Sequence, residues 1–312
     1  MSNLPLERAF AFLISRQDDD GYWRDYQLEP GGSEAWTTAC AGLSLLQLAG
    51  HGAETRRAIE TLLAARRPDG WGYNSRTACD ADTTSWVIRF LAAADALDGV
   101  DSAALLSPYI TPAGGVRTFS SPRFGSWAEE HDEVAPIAGM ALLATGEQTL
   151  AERIRRGVVS RTRWRPFWWR CSSYVCARTL EFLSLSGGIP EEIREREAAA
   201  LASFPPPTSA FDLAHRLIAA THLSDAAPHR ELLEAQQPDG GWPRSSELLV
   251  PSQVDGSSGE PYADNRRIMT TAMAMSAYRH QQQDATARSV AAPRCEQPRT
   301  VKTAVIGCRH QL

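Results

Sequence analysis

Lysine is nearly absent from this sequence: of 32 basic residues, only Lys302 is a lysine and the rest are arginine. That skew carries no mechanistic weight. An excess of positive charge is also missing, since 37 acidic residues leave a formal net charge of −5. A nucleic-acid binder needs a basic stripe to neutralise phosphates, so that class is excluded. No apolar run approaches the roughly 18 residues that span a bilayer. Residues 1–8, Met-Ser-Asn-Leu-Pro-Leu-Glu-Arg, turn polar too early for a signal peptide, so the expected location is cytoplasmic. The six cysteines (Cys40, Cys79, Cys171, Cys176, Cys295, Cys308) have no C-x-x-C pair and read as reduced thiols. Val/Ile/Thr alternation is scarce, which excludes an extensive sheet. A composition of 43% hydrophobic and 22% charged residues excludes a disordered chain.

What the chain does have is tryptophan, nine residues in all, clustered beside glycines in short polar stretches. Three such stretches repeat: Gln17-Asp18-Asp19-Asp20-Gly21-Tyr22-Trp23, Arg66-Arg67-Pro68-Asp69-Gly70-Trp71, and Gln236-Gln237-Pro238-Asp239-Gly240-Gly241-Trp242. Phe124-Gly125-Ser126-Trp127 is a weaker fourth. Each strong copy ends an apolar-periodic helix. The expected physics is a Gln capping that helix, a Gly permitting the turn and a Trp sealing the junction with the next repeat.

Between the turns, apolar periodicity gives about twelve helices. One set, near 5–17, 54–66, 100–110, 147–158, 190–203 and 226–236, is rich in Arg and Glu on one face and suits an outer layer. The other set starts near Glu34, Asp82, Asp132, Cys171, Ser209 and Asn265, is nearly uncharged, and suits an enclosed layer. Alternating exposed and enclosed helices in six helical hairpins describe an all-α fold, an (α/α)6 toroid over residues 1–280. Residues 281–312 lack aromatics and read as a disordered or loosely attached tail. In a closed ring all inner helices run the same way, so their N-termini share one mouth. That mouth is expected to gather Trp36, Asp80, Asp82, Trp86, Trp127, Trp169, Tyr174 and Phe211 into an apolar, aromatic cup.

Chemistry enters at Asp80-Ala81-Asp82-Thr83-Thr84, directly after the second turn. Two carboxylates at the start of a helix read first as capping residues, a contribution of about 0.5–2 kcal/mol. In company with the repeated turns and the toroid, however, the motif resembles the squalene–hopene cyclase superfamily. More narrowly it is similar to class II, protonation-initiated terpene cyclases, whose D-x-D-D signature has a D-x-D-T-T variant in drimenyl diphosphate synthase-like enzymes. The resemblance covers roughly residues 5–280. It implies cyclisation of a linear isoprenoid, such as the polyprenyl diphosphate farnesyl diphosphate, with Asp82 as general acid. Asp80 would then polarise Asp82, with Thr83 and Thr84 as hydrogen-bond partners. Such an acid must be protonated at rest, and two close carboxyls in a dry site favour that state.

A carbocation also needs walls that do not capture it. Trp36, Trp86, Trp127, Trp169, Tyr174 and Phe211 are the candidates, each face stabilising positive charge by about 0.5–2 kcal/mol. Packing alone equally accounts for any one of them. Arg163, Arg165 and Arg170, set among Trp164, Trp168 and Trp169, are candidate diphosphate ligands; a solvated charge run is the alternative. No cofactor is needed for protonation, whereas Mg2+ would accompany a diphosphate substrate.

The resemblance also implies a second helical barrel, for which this length has no room. A homo-oligomer or a helical domain in trans would then close the cup. The superfamily places a His near the start of the next inner helix; here His131 only precedes it. Two other readings stay open. One is a prenyltransferase-like toroid that has lost its zinc site, because the residue two after Asp80 is Asp82 rather than Cys. The other is a non-catalytic toroid that binds an isoprenoid or a partner protein.

Overall fold

The computed structural model describes residues 4–224 and 230–291. Six helices form an inner ring: α2 (Ala35–Ala49), α4 (Ala81–Ala93), α6 (Val134–Ala144), α8 (Ser172–Leu185), α10 (Ala210–His222) and α12 (Ile268–Ala291). Each packs on the next, and α12 returns to α2, so the ring is closed. Outside it lie α1 (Leu4–Ser15), α3 (Ala53–Ala64), α5 (Ser102–Leu106), α7 (Gln148–Val159), α9 (Glu191–Ser203) and α11 (Arg230–Glu234). This is the (α/α)6 toroid read from the sequence, with every inner helix starting within three residues of its expected position. The last helix runs to Ala291, past the expected boundary at 280, and the rest of the expected tail lies outside the described residues.

Burial follows composition. In α6 every residue from Val134 to Leu142 is buried, as its uncharged sequence demands. In α7 only Ala151, Ile154, Gly157 and Val158 are buried, while Glu152 and Arg156 stand in solvent.

The Trp turns are built alike. Trp23, Trp71 and Trp242 donate their indole N–H to the carbonyls of Leu13, Leu62 and Leu232, in the outer helix each has just left, at 2.7, 2.7 and 2.6 Å. Their backbone N–H groups donate to Thr38, Thr84 and Thr271 on the following inner helix. Gly70 (φ 109°) and Gly240 (φ 93°) hold left-handed turns; a Cβ on Gly240 would meet the Arg8 carbonyl at 2.2 Å.

Two turn expectations change. The glutamines do not cap the helix behind them. Gln17 Nε2 donates to the Glu54 carbonyl at the start of α3, and Gln236 Nε2 to the Pro5 carbonyl in α1. They tie one outer helix to the next, because those carbonyls approach across the turn. Trp127 is not a fourth sealing residue, since it is half-buried and donates to the Pro251 carbonyl. Trp164 performs that task, its indole N–H reaching the Val158 carbonyl in α7 at 3.3 Å without an adjacent glycine to mark the turn.

Two short hairpins complete the description, β1 (Gln27–Leu28) with β2 (Gly31–Gly32) and β3 (Leu248–Leu249) with β4 (Pro261–Tyr262). Both lie at the mouth where the inner helices begin. Among the described residues no helix is long and apolar enough to cross a membrane.

Candidate active site

A cavity of about 220 Å³ opens at that mouth. Its wall includes Asp80 and Asp82 from the start of α4 and Glu133 from the residue before α6. Trp36 of α2, Trp127, Trp168 and Trp169 from the connecting segments, and Tyr73 supply its aromatic faces. Leu248, Leu249, Val250 and Tyr262 of the β3–β4 hairpin form a roof. The roof is tied down where Trp127 Nε1 donates to the Pro251 carbonyl and Arg170 N to the Glu247 carbonyl. The chain thus covers its own cup.

Asp80 is the helix cap. Its Oδ1 accepts the Thr83 backbone N–H at 2.7 Å, and its Oδ2 accepts the Thr83 hydroxyl at 2.8 Å. Burial pushes its carboxyl up to about 6 against those two hydrogen bonds. Asp82, two residues on, lines the cavity and is half-buried. Its Oδ1 and the indole nitrogen of Trp36 are both buried without a well-formed hydrogen bond, yet the Trp36 N–H lies near enough to favour the Asp82 anion. Burial first, then the negative charges of Asp80 and Glu133, hold the Asp82 carboxyl well above the usual carboxylate range; the Arg89 guanidinium opposes them. These terms outweigh the α4 dipole, which favours an anion at its N-terminus.

Glu133 is a cavity carboxyl that sequence reasoning did not single out. It is 2% exposed, and its Oε1 accepts the backbone N–H groups of Phe167 and Trp168 at 2.7 and 2.6 Å. Its Oε2 is buried without a partner. Burial, partly offset by those N–H groups, pushes its carboxyl up to about 7. His131, which sequence placed just ahead of the helix, supports the wall instead of the acid. Its Nδ1 lies 2.7 Å from Thr118 Oγ1, which also accepts the Trp168 indole N–H at 3.0 Å. Burial lowers its imidazole to about 4, so it stays neutral at pH 7.

The remaining expected residues separate into three groups. Trp36, Trp127 and Trp169 line the cavity with Thr83. Tyr174 and Phe211 form a tier behind Trp169, stacked on it at 4.5 and 4.7 Å. Trp86 is also behind the wall, covered by the guanidinium groups of Arg89 (4.6 Å) and Arg178 (5.6 Å). Those two arginines share Glu181 at 3.0 and 2.6 Å. The third group lies off the cavity wall. Thr84 spends its hydroxyl on the Trp71 backbone, donating to its carbonyl and accepting from its N–H, because it belongs to the turn. Arg163, Arg165 and Arg170 are exposed and absent from the cavity wall, because Trp164, Trp168 and Trp169 take the inward positions of that segment.

No Arg, Lys or His lines the cavity among the described residues. Nor do they contain a cluster of three or more His, Cys, Asp or Glu able to hold a metal ion. Cys79, adjacent to the motif, donates to Asp69 at 3.0 Å instead of facing the cavity. Cys40, Cys79, Cys171 and Cys176 are free thiols, and Cys295 and Cys308 lie outside the described residues.

No protein family matches this sequence, and no curated protein does either. Solved structures do match its fold. The type II terpene cyclase MstE from Scytonema superposes with a TM-score of 0.78 at 24% identity, over 90% of this chain and 98% of that one. A variant of MstE in complex with its substrate, geranylgeranyl dihydroxybenzoate, gives 0.77 at 24%, over 90% and 97%. The ent-copalyl diphosphate synthase from Streptomyces platensis gives 0.60 at 15%, over 80% of this chain and 50% of that one. The chain therefore has the toroid fold of type II terpene cyclases, and in MstE the solved chain is a toroid of matching extent.

Proposed function

We propose that this protein is a class II terpene cyclase, in which Asp82 protonates a terminal alkene of a linear isoprenoid and the resulting cation closes rings against aromatic walls. The observation that carries this reading is the state of Asp82: a carboxyl at an aromatic cavity, without a well-formed hydrogen bond at Oδ1 and pushed toward its protonated form by burial and two neighbouring carboxyls. An alkene is a very weak base. A donor facing it works only if it is neutral at rest and leaves a stabilised anion.

Asp80 raises the affinity of Asp82 for its proton while remaining fixed by Thr83. As the proton leaves, Arg89 and the N-terminus of α4 favour the new carboxylate. Trp36, Trp127, Trp168 and Trp169 present faces whose quadrupoles stabilise the migrating positive charge, at about 0.5–2 kcal/mol each. The hydrocarbon chain fills the apolar space and the β3–β4 roof excludes water that would quench the cation.

The walls carry carboxylates and no cation, so the polar head of the substrate belongs at the rim. Farnesyl diphosphate meets that condition with its head outside, as does an isoprenoid bearing an aromatic acid. A Mg2+ ion would accompany a diphosphate head at the rim, and no step here depends on it.

The test is incubation in D2O with farnesyl and geranylgeranyl diphosphates and with a geranylgeranylated hydroxybenzoate. Cyclic product carrying one solvent deuterium, lost in Asp82→Asn, is the expected result. Tight binding of these compounds without cyclisation would instead favour a non-catalytic isoprenoid-binding toroid.

A further inference from the structure

Protonation-initiated cyclisation to an alkene is an isomerisation: the proton that enters must be matched by one that leaves. The cavity therefore needs a proton acceptor as well as a donor. Four carboxyl groups line it. Both oxygens of Asp80 are engaged by Thr83. Asp82 is the donor, and Glu29 is exposed at the rim. Glu133 remains. It is 2% exposed, one oxygen is clamped by two backbone N–H groups, and the other is buried with no partner.

Resting on the cyclase reading above, we infer that Glu133 Oε2 is the base that ends the reaction. It removes the proton from the carbon next to the final cationic centre. The C–H electron pair becomes the new alkene bond, and the proton becomes the Glu133 carboxylic acid. That proton then passes to the Asp82 carboxylate, restoring both groups with no external acid or base consumed.

The arrangement suits the task. The clamp on Oε1 fixes the carboxylate without occupying Oε2, so the basic oxygen is held in place and left unsolvated. Glu133 and Asp82 line the same cavity, close enough that the charge of Glu133 raises the Asp82 carboxyl. The Glu133 carboxyl is helped to keep its own proton by burial and Asp132, whereas Asp82 is raised by burial, Asp80 and Glu133 together.

Glu133→Gln tests the assignment, because the amide oxygen still accepts the Phe167 and Trp168 N–H groups. The expected result is a fall of about 100-fold or more in kcat with KM within about threefold. The remaining products should shift from alkenes to alcohols, as water captures a cation that no base deprotonates. The acidic limb of the pH–rate profile, near pH 7 in the wild type, should disappear, and Glu133→Asp should recover part of the alkene. Unchanged alkenes with an unchanged acidic limb would overturn the role of Glu133 while leaving Asp82 as the acid. A wild-type protein that cyclises none of the substrates overturns both readings.

Discussion

Thr83 engages both oxygens of Asp80, one through its backbone N–H at 2.7 Å and the other through its hydroxyl at 2.8 Å. On the proposed reading, that pair divides the labour within the motif. Asp80 is a fixed acceptor with no free oxygen, whereas Oδ1 of Asp82, two residues on, makes no well-formed hydrogen bond and has only the Trp36 indole N–H near it. Two carboxyls that look equivalent in sequence are thus chemically opposite, one held as the charge and the other as the proton carrier.

Asp80→Asn keeps the cap, since an amide oxygen still accepts the Thr83 N–H, but removes the charge that raises Asp82. The Asp82 carboxyl then ionises at lower pH. The alkaline limb of the pH–rate profile should move toward lower pH. Asp80→Ala loses the cap as well and should cost about 1–2 kcal/mol in denaturant titration.

Glu133 gives a stability signature opposite to that of an ion-paired acid. Its folded-state value of about 7 exceeds the usual 4.5, so the folded protein binds this proton more tightly than the unfolded chain. The group stabilises the fold below about pH 4.5, and that contribution is lost as pH rises to about 7. Glu133→Gln should therefore match the wild type at pH 4 and exceed it at pH 8 by up to about 3 kcal/mol. Urea titrations at the two pH values measure the difference.

Trp71 seals the outer layer and takes no part in the cavity wall. Trp71→Ala should cost about 3–5 kcal/mol, and Trp71→Phe about 1–2 kcal/mol for the lost hydrogen bond and volume. In neither variant should the ratio of products change, as chromatography of the reaction mixture would reveal. A shift in product pattern would mean that the turn also shapes the cavity.

Arg163, Arg165 and Arg170 stand in solvent. Replacing all three by Gln should leave KM for a diphosphate substrate within about threefold at physiological salt, where exposed charges are screened. A large rise in KM would place the substrate head on this segment.

The roof is a separable element. Replacing residues 251–260 by a short Gly-Ser linker removes the Pro251 carbonyl that anchors Trp127 but leaves the ring untouched. Product analysis should then reveal more water-captured alcohol, with little change in melting temperature.

The sequence by itself determined the ring. Uncharged inner helices and one-sided charged outer helices follow from the burial each face experiences, and that pattern has a period readable without coordinates. The Trp turns were legible for the same reason, because their hydrogen bonds join neighbouring segments. Trp164 escaped notice, since nothing adjacent marks its turn. Asp80 and Asp82 stood out because two local carboxyls begin an inner helix. Glu133 did not, because a Glu ahead of a helix is unremarkable; only closure of the ring sets it opposite residues 50 positions earlier. Between Trp164 and Arg170, composition alone gave no way to choose which side chains point inward, and the tryptophans took those places while the arginines stayed hydrated. Tertiary structure alone also decided that the hairpin after Trp242 covers the cup. Local patterns encode how a segment buries itself, but a cavity is shared by segments distant in the chain, and its chemistry depends on which groups find partners there.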